Sequence, residues 1–473
     1  MAEHTSPPQP VAHPSVAERR ARGRDLRKRL RRRELGELTP PPDRDPVAIL
    51  AEQEARRVPE LVPLRRARMA ASPFAFFRGA AAVFAADLAP APRSDLRVQL
   101  CGDAHLANFG GFASPERNLV FDLNDFDETL PGPFEWDVKR LAASFEVAGR
   151  ANGHSTRDRE AVQLQLARRY AAAMARFADM DHLDLWYLRL SADEILAASG
   201  ADLGDDAQAR MQRVLTKAKG KDRMKALRRL TVEVDGEVRF ASDPPVLQPA
   251  AELMSESDRD QLMGVVHEAF HGYRRSLQPD RRLLLERYRF VDLARKVVGV
   301  GSVGTRCWVV LLLGREDGDP LFLQVKEAER SVLEPHLGLS AYTQQGRRVV
   351  EGQRIVQSAS DIFLGWERVQ MPDGVVRDHY FRQLWDWKAS ADIDSMDPVI
   401  LGFYAEMCAA TLAKAHARSG DAVTLAAYLG KGGALGEAMV DFAAAYADLN
   451  ERDHADAVAR WGLGATSGPE AGA

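Results

Sequence analysis

The sequence predicts an α+β fold with two lobes. Three observations predict it: residues 151–290 have the apolar spacing of amphipathic helices, the chain after Phe290 alternates as short strands with turns, and alanine-rich helix returns after Pro398. We therefore expect a disordered basic arm over 1–45, a helical lobe over 46–290 and a small antiparallel-sheet lobe over 291–394. Closing helices packed on the helical lobe should follow over 395–455, with a flexible tail over 456–473.

Composition excludes several classes of protein. Lys and Arg number 64 against 68 Asp and Glu, so the net charge is only −4. Apolar runs such as Trp308 to Leu313 are far shorter than the roughly 20 residues of a membrane-spanning helix, and the N-terminus lacks the apolar core of a signal peptide. Three cysteines are too few for a disulfide framework. We expect a cytoplasmic protein without membrane insertion.

The first 45 residues are rich in proline and contain a strongly basic run. Arg19 to Arg33 holds ten basic residues and one acid, Asp25, for a local charge of +9 that leaves −13 for the rest of the chain. This composition cannot bury a core, so a disordered arm or a solvated helix is expected. Weak binding to nucleic acid or to an anionic surface is the alternative. It would rest on charge alone, because the run has no aromatic residue.

Apolar spacing and turn residues place the individual elements. The helical lobe is expected to contain a helix over 74–88, strands over 97–100 and 118–121, and a further helical stretch from 136 onward. A hairpin over 231–240 should turn at Asp235-Gly236. The sheet lobe is expected to contain strands over 296–298, 307–313, 321–325 and 379–384, with one inserted helix over 342–357.

The densest polar chemistry follows the first two strands, between Cys101 and Arg140. Carboxylates this close raise one another's pKa and repel unless a cation joins them. Oxygen ligands without paired Cys or His favour Mg²⁺ or Mn²⁺ over zinc. Asp122 and Asp127, each taken alone, are more typical of a turn or a helix cap. The candidate residues are Asp103, Asn108, Asp122, Asp125 and Asp127.

The spacing of these residues indicates a reaction. Asp103 and Asn108 form Asp-x-x-x-x-Asn, and Asp125 follows seventeen residues after Asn108, at the end of a strand. A loop with a base and an amide, followed by a metal-binding aspartate, is the arrangement that kinases use for phosphoryl transfer. We therefore predict Asp103 as the catalytic residue and Asn108, Asp125 and Asp127 as metal ligands.

Two segments resemble known phosphotransferases. Gly102-Asp-Ala-His-Leu-Ala-Asn108 and Asn124-Asp-Phe-Asp-Glu128 are similar to the catalytic and metal-binding segments of aminoglycoside phosphotransferase-like and choline-kinase-like enzymes. The resemblance implies a base for the acceptor hydroxyl, two magnesium ligands and a carboxylate that braces the loop from a helix start: Asp103, then Asn108 and Asp125, then Asp137.

A glycine-rich segment marks the sheet lobe. Gly299-Val-Gly-Ser-Val-Gly304 matches Gly-x-Gly-x-x-Gly, which dinucleotide-binding folds and kinases both use. The following residues, Thr305 to Leu313, read as a strand, whereas a dinucleotide-binding fold needs a helix there. In a kinase a later strand presents a lysine to the phosphates, and a glutamate on the next helix pairs with it. The predicted nucleotide-binding residues are Gly299, Gly301, Ser302, Gly304, Lys326 and Glu351.

The order of these parts differs from that of an ordinary kinase, because Asp103 precedes the glycine-rich segment. The parts assemble into a two-lobed, protein kinase-like fold only if the chain is circularly permuted. The helical lobe with the catalytic loop would come first, the nucleotide lobe second and the closing helices last. Permutation is tolerated when the original termini lie near each other.

Over nearly its whole folded length the chain looks like the bacterial "domain of unknown function 2252" family. The segments that carry this resemblance are Pro59–Pro63, Ser72–Gly79, the acidic cluster, Lys296–Arg306 and Ser360–Trp366. The family has no established substrate, so the resemblance implies a distant kinase-like relationship and leaves the acceptor open.

The sequence therefore predicts an ATP- and Mg²⁺-dependent phosphotransferase that acts on a hydroxyl group. A small molecule is the expected acceptor, and a protein is the alternative. A nucleotide-binding pseudokinase that serves as a scaffold is a second hypothesis, because Cys101 stands where the related families have histidine. Transfer of a nucleotidyl group is a third, since similar parts with ATP reversed would perform it.

Overall fold

Helices and antiparallel strands build the molecule, which is the α+β class expected from the sequence. The computed structural model describes residues 14–191, 216, 220, 222–253, 255–315, 318–371, 373–384 and 387–463. The helices are α1 Val16–Arg29, α2 Pro46–Glu54, α3 Val62–Ala70, α4 Pro73–Gly79, α5 Ala81–Leu88, α6 Phe134–Ala151, α7 Thr156–Ala178, α8 His182–Tyr187, α9 Arg223–Leu230, α10 Ala250–Leu253, α11 Glu256–Ser276, α12 Pro279–Leu285, α13 Glu334–Leu337, α14 Gln345–Val356, α15 Pro398–Ser419, α16 Ala422–Leu429 and α17 Gly433–Arg460. The strands are β1 Arg97–Leu100, β2 Phe109–Ala113, β3 Leu119–Leu123, β4 Leu130–Pro133, β5 Thr231–Val234, β6 Glu237–Phe240, β7 Leu247–Pro249, β8 Arg289–Lys296, β9 Cys307–Leu313, β10 Pro320–Glu327, β11 Gly365–Gln370, β12 Val376–Gln383 and β13 Ala389–Ser390.

The helical lobe surrounds α6, which is buried along almost its whole length. The chain enters α6 at Pro133, and Glu135 and Asp137 in the first turn suit the positive end of the helix dipole. The apolar side chains of α6 pack with those of α7, α15 and α17 in one large core. The Phe134 ring stacks on Tyr170 of α7, with ring centroids 6.1 Å apart. α6 therefore holds the side chains of its first turns in fixed positions.

The sheet lobe is built on a six-stranded antiparallel sheet with the order β11-β12-β10-β9-β8-β7. One face of the sheet packs on α11, and the opposite face packs on α9 and on the β5–β6 hairpin. The described residues between 222 and 288, which the sequence assigned to the helical lobe, pack instead on the sheet. Their apolar faces cover the two faces that the strands expose.

The basic run folds onto the helical lobe, which corrects the expectation of a disordered arm over 1–45. Residues 1–13 lie outside the described residues, but α1 packs against α16. The guanidinium groups of Arg27 and Arg32 donate to two carbonyl oxygens at the end of α16, at 2.8 and 2.7 Å. Cationic groups are favoured there by the negative end of the helix dipole. Part of the charge that predicted disorder thus holds the segment in place.

Other expected elements are confirmed or shifted. The β5–β6 hairpin turns at Asp235-Gly236, where both residues have positive φ as a type I′ turn requires. The helix expected over 74–88 is interrupted at Ala80 and forms α4 and α5. The strand expected at 296–298 ends at Lys296. β11, which pairs with β12, was not predicted.

Some findings bear on the ends of the chain and on its composition. The last helix, α17, continues to Arg460, past the expected start of the flexible tail at residue 456, and residues 464–473 lie outside the described part. None of the described helices combines the length and apolar character that crossing a bilayer requires. All three cysteines are free and buried.

A buried ion-pair network joins the N-terminal segment to the last helix. Arg44 donates to both carboxylate oxygens of Asp87 and to both of Asp453, at 2.7 to 2.8 Å. The side chains of these acids are only 1% and 8% exposed. The Tyr446 hydroxyl also donates to Asp87, at 3.0 Å. Loss of the shared cation would leave two buried carboxylates without a counter-ion.

Arg44→Ala is expected to lower the free energy of unfolding by about 3–5 kcal/mol, the usual cost of leaving buried charges unpaired. Arg24→Ala, which removes an exposed arginine from α1, is the control and should change it by less than about 0.5 kcal/mol. Urea denaturation followed by circular dichroism measures both. Equal stability of the two variants would contradict a structural role for the network.

Candidate functional site

Two loops of the helical lobe lie side by side because of how four strands pair. The end of β1 pairs with the start of β4, and the start of β2 pairs with the end of β3. Residues 101–108, here named the Asp103 loop, therefore neighbour residues 124–129, here named the acidic segment. Gly102 has a φ of +87°, and a Cβ at this position would lie 2.3 Å from the Glu128 carbonyl oxygen. Only glycine permits this approach.

The Asp103 carboxylate is positioned by an ion pair. Arg140 of α6, whose side chain is 2% exposed, donates from Nε to Asp103 Oδ1 at 2.8 Å. Asn108 donates from Nδ2 to the backbone carbonyl oxygen of Asp103, also at 2.8 Å. His105 Nε2 lies 3.8 Å from the second carboxylate oxygen, Oδ2. Asp103 is thus held from α6 while its side chain remains partly exposed.

Asp137 braces the same loop, as the resemblance to phosphotransferases implied. Its carboxylate accepts from the backbone amide of Cys101 at 2.8 Å and from that of Gly102 at 3.1 Å. His416 Nε2 lies 3.3 Å from Asp137 Oδ2, and the Tyr170 hydroxyl lies 2.7 Å from His416 Nδ1. This buried chain of polar groups ties the Asp103 loop to α7 and α15.

Residues 299–304, here named the glycine loop, connect β8 to β9, which are antiparallel neighbours. The loop is followed by a strand, as predicted, and no helix follows its last glycine. Three donors from the helical lobe bind its backbone carbonyl oxygens. The Arg68 guanidinium donates to Gly299 at 2.7 Å, the Arg57 guanidinium to Val303 at 2.5 Å and the Val58 amide to Gly304 at 2.8 Å. The glycine loop is therefore docked on the helical lobe.

Lys326 joins the glycine loop to the acidic segment. It lies on β10, where strand pairing places it beside Cys307 of β9 and Tyr380 of β12. Its side chain is 3% exposed, and its ammonium group donates to Ser302 Oγ at 2.8 Å and forms an ion pair with Asp127. The Tyr380 hydroxyl donates to the other Asp127 oxygen at 2.8 Å. Lys326 and Tyr380 therefore meet at the Asp127 carboxylate, and Ser302 binds the same lysine.

The structure corrects the expected partner of Lys326. Glu351 on α14 lies instead 4.0 Å from Arg347 and 3.5 Å from Arg354 of its own helix. The residue of α14 that is buried toward the acidic segment is Arg348, which donates to three backbone carbonyl oxygens, two of them in that segment. Asp127 already binds the lysine ammonium, so no glutamate from the helix is needed there.

Burial and neighbouring charges shift the pKa values in the site. Burial raises the pKa of Asp103 to about 6, against the lowering effect of Arg140. Burial also acts to raise the pKa of Asp127, but the Lys326 ammonium outweighs it and holds that pKa below its usual range. Burial acts to lower the pKa of Lys326, and the Asp127 carboxylate outweighs it and raises that pKa. The Lys326–Asp127 pair is therefore charged at neutral pH.

The expected metal ligands divide into two groups. Both oxygens of Asp127 accept a hydrogen bond, one from Lys326 and one from Tyr380, so Asp127 is the ion-pair partner of the lysine. Asn108 donates a hydrogen bond from Nδ2, and its side-chain oxygen takes no part in that bond. Asp125 Oδ1 accepts a hydrogen bond from the Asp127 amide at 3.2 Å. Across the described ranges, no group of three or more His, Cys, Asp and Glu side chains could hold a metal ion. Asn108 and Asp125 lie on the two neighbouring loops, and their role as magnesium ligands stays a prediction.

Sequence reasoning missed three side chains at this site: Arg140, Arg348 and Tyr380. Arg140 lies at the end of the acidic cluster that carried the family resemblance, which was the available signal. Tyr380 could be assigned to the Lys326 side of the sheet only once the register of β10 and β12 was known. Nothing in the sequence distinguishes the buried Arg348 from its neighbour Arg347, which is more exposed.

Known proteins can now be compared with this fold and site. The family model described as "Uncharacterized protein conserved in bacteria (DUF2252)" matches residues 57–460. The chain belongs to this family. The DUF2252 match spans both lobes, from Arg57, which donates to the glycine loop, to Arg460 at the end of α17. No curated protein and no solved structure matches the chain significantly.

Glu128 of the acidic segment supplies a test of the electrostatics. Its carboxylate accepts the Val332 amide at 2.7 Å. Burial raises its pKa to about 7, against the lowering effect of Arg348. The folded chain therefore binds this proton more tightly than the unfolded chain, whose Glu128 titrates near the ordinary value of 4.5. Stability from this group is greatest below the unfolded pKa and is lost as pH rises toward 7.

Glu128→Gln, which cannot ionise, is expected to gain stability relative to the wild type as pH rises from 4.5 to 8, by on the order of 3 kcal/mol. Urea denaturation at both pH values measures the difference. Glu160→Gln, on an exposed position of α7, is the matched control and should show no such trend. A difference for Glu128→Gln that is independent of pH would contradict the raised pKa.

Proposed function

We propose that this DUF2252 chain is an ATP- and Mg²⁺-dependent phosphotransferase that acts on a hydroxyl group. One contact carries the proposal: the Lys326 ammonium binds both Ser302 of the glycine loop and Asp127 of the acidic segment. A lysine from a sheet, a glycine loop and an aspartate segment are the parts that kinases bring together around the phosphates of ATP. Here they meet although Lys326 and Asp127 are 199 positions apart, which supports a permuted kinase-like arrangement.

The glycine loop and Lys326 are the proposed phosphate-binding groups. Glycine residues leave backbone amides open to a phosphate, and a lysine supplies a point charge beside them. Asp127 and Tyr380 hold the ammonium in place, because one forms an ion pair with it and the other fixes the aspartate. The Ser302 hydroxyl directs the same ammonium toward the loop.

Asp103 is proposed to orient the acceptor hydroxyl and to accept its proton. A pKa of about 6 leaves the carboxylate mainly ionised at neutral pH and still able to take up a proton. Arg140 and the bracing of the loop by Asp137 fix its direction, as a reaction that depends on positioning requires. The proposed acceptor is a small molecule, with a protein hydroxyl as the alternative.

Asn108 and Asp125 are proposed to hold Mg²⁺ through their side-chain oxygens. Bound there, the ion would neutralise charge on the phosphate oxygens. The two residues belong to the two neighbouring loops, so the pairing of β1 with β4 and of β2 with β3 sets their separation. Asp127 is left to Lys326, which keeps the lysine and the metal ligands on separate carboxylates.

A nucleotide-binding pseudokinase is the second candidate, and one contact favours it. Arg140 forms a direct ion pair with Asp103 at 2.8 Å, and a cation this close opposes protonation of the carboxylate. In that case the chain would bind ATP and act as a scaffold without transfer. Burial nevertheless raises the pKa of Asp103 more than Arg140 lowers it. We therefore prefer the phosphotransferase over the pseudokinase.

Mg²⁺-ATP is expected to raise the melting temperature of the wild type more than ATP in EDTA does. A ligand at a hundred times its Kd stabilises a fold by about 2.7 kcal/mol, which a thermal-shift measurement resolves. Asp125→Asn should lose the magnesium-dependent part of the shift. Asp280→Asn, which changes an exposed acid of α12, should keep it. Equal shifts with and without Mg²⁺ in the wild type would contradict the metal assignment.

Turnover separates the two candidate functions. Asp103→Asn is expected to slow transfer of the γ-phosphate by about 10²–10⁴-fold, because it removes the proton acceptor, while the Kd for Mg²⁺-ATP stays near that of the wild type. Radiolabelled ATP with pooled hydroxyl acceptors measures transfer, and calorimetry measures binding. A wild type that binds Mg²⁺-ATP but labels no acceptor and releases no phosphate would identify the pseudokinase.

A further inference from the structure

The end of α4 lies between the glycine loop and the Asp103 loop. The carbonyl oxygen of Phe77 accepts a hydrogen bond from Arg140, the partner of Asp103, at 2.7 Å. The next residue, Arg78, approaches the glycine loop: a Cβ on Gly301 would lie 3.1 Å from the Arg78 carbonyl oxygen. Arg78 therefore belongs to a short segment that touches both sides of the proposed phosphate site.

The position of Arg78 is fixed by local structure. Ser72 caps α4 by accepting from the Ala75 amide at 3.0 Å, and Phe76 and Phe77 are buried on the inner side of the helix. The guanidinium of Arg140 packs on the Phe77 ring, 3.8 Å from its centroid. The backbone that presents Arg78 is thus tied to the core through the two phenylalanines that precede it.

The guanidinium of Arg78 forms no hydrogen bond or ion pair with the described residues; it lies over the Phe74 ring, 6.0 Å from the centroid. Its Nε is buried without a hydrogen-bond acceptor. Burial lowers the pKa of Arg78, and the carboxylates of Asp103, Asp394 and Asp125 act to raise it. An arginine guanidinium keeps its positive charge in proteins, and this one has no anion in contact.

Other arginines of the site differ in this respect. Arg140 binds Asp103 and a carbonyl oxygen, and Arg348 binds three carbonyl oxygens. Arg382 donates to the Gln324 side chain at 2.7 Å and to the Asn124 carbonyl oxygen at 3.1 Å. These side chains are structural braces. Arg140 leaves only Nη1 without a partner, whereas Arg78 is the one of these four whose guanidinium makes no hydrogen bond to the described residues.

We infer that Arg78 binds the γ-phosphate of ATP and stabilises it during transfer. This inference rests on the proposed function. A planar guanidinium binds phosphate oxygens through paired hydrogen bonds, and an arginine placed at a transferring phosphoryl group lowers the barrier by neutralising its oxygens. Arg78 would add to Lys326 a second cation, from the helical lobe.

The step balances without a further reactant. The acceptor oxygen forms a bond to the γ-phosphorus, and the bond from that phosphorus to the bridging oxygen breaks. The electron pair of the broken bond leaves with ADP, and the hydroxyl proton passes to Asp103. Arg78 keeps its proton throughout and contacts the oxygens of the moving phosphoryl group.

Calorimetric titration with Mg²⁺-ATP and with Mg²⁺-ADP tests the inference, because only ATP carries the γ-phosphate. The wild type is expected to prefer ATP, and Arg78→Gln should reduce that preference about tenfold by weakening ATP alone. Arg78→Lys retains the charge and should recover part of it. Arg24→Gln, on the exposed side of α1, controls for the loss of one positive charge.

The rate of phosphate release or transfer gives a second readout, and it should fall about 10²–10³-fold in Arg78→Gln. Melting curves of the two Arg78 variants confirm that each is folded. An unchanged preference and an unchanged rate in Arg78→Gln would overturn the inference and leave the proposed function standing. Equal weakening of ATP and ADP would also overturn it. A wild type that binds neither nucleotide would overturn both.

Discussion

The ion pair between Lys326 and Asp127 is the contact on which the rest of the site depends. The lysine side chain is 3% exposed, and a charge buried that deeply costs several kcal/mol unless an opposite charge accompanies it. The pair therefore fixes the sheet of one lobe against the acidic segment of the other. Tyr380 binds the same carboxylate and Arg348 binds the backbone of the same segment, so both depend on where the pair lies. Ser302 brings the glycine loop to the same ammonium.

The helical lobe supports this pair through α6. Asp137 and Arg140 lie in its first two turns, and one braces the backbone of the Asp103 loop while the other holds the Asp103 carboxylate. Because α6 is buried among three other helices, neither side chain can move without disturbing the large core. The polar residues of the site are thus held by packing on one side and by an ion pair on the other. The proposed phosphoryl transfer would depend mainly on positioning and charge neutralisation.

Features that are continuous in the sequence could be predicted, and contacts between distant segments could not. The Asp-x-x-x-x-Asn spacing, the glycine loop between two strands and the position of Lys326 at the end of a strand all follow from local pattern. The partner of Lys326 does not, because Glu351 and Asp127 are equivalent acids until the lobes dock. The basic run shows the same limit: composition records the charges of Arg27 and Arg32 but not the carbonyl oxygens of α16 that bind them. The residues from 222 to 288 were read correctly as mostly helix, yet their burial on the sheet depends on faces formed by strands far along the chain.

The most direct test of a permuted kinase-like site is a crystal structure of the DUF2252 chain with Mn²⁺ and a non-hydrolysable ATP analogue. The account predicts that the β- and γ-phosphates lie between the glycine loop and the acidic segment, within hydrogen-bond distance of Lys326 Nζ. Anomalous scattering should place Mn²⁺ beside Asn108 and Asp125. A nucleotide bound elsewhere, or Mn²⁺ on other residues, would contradict the account.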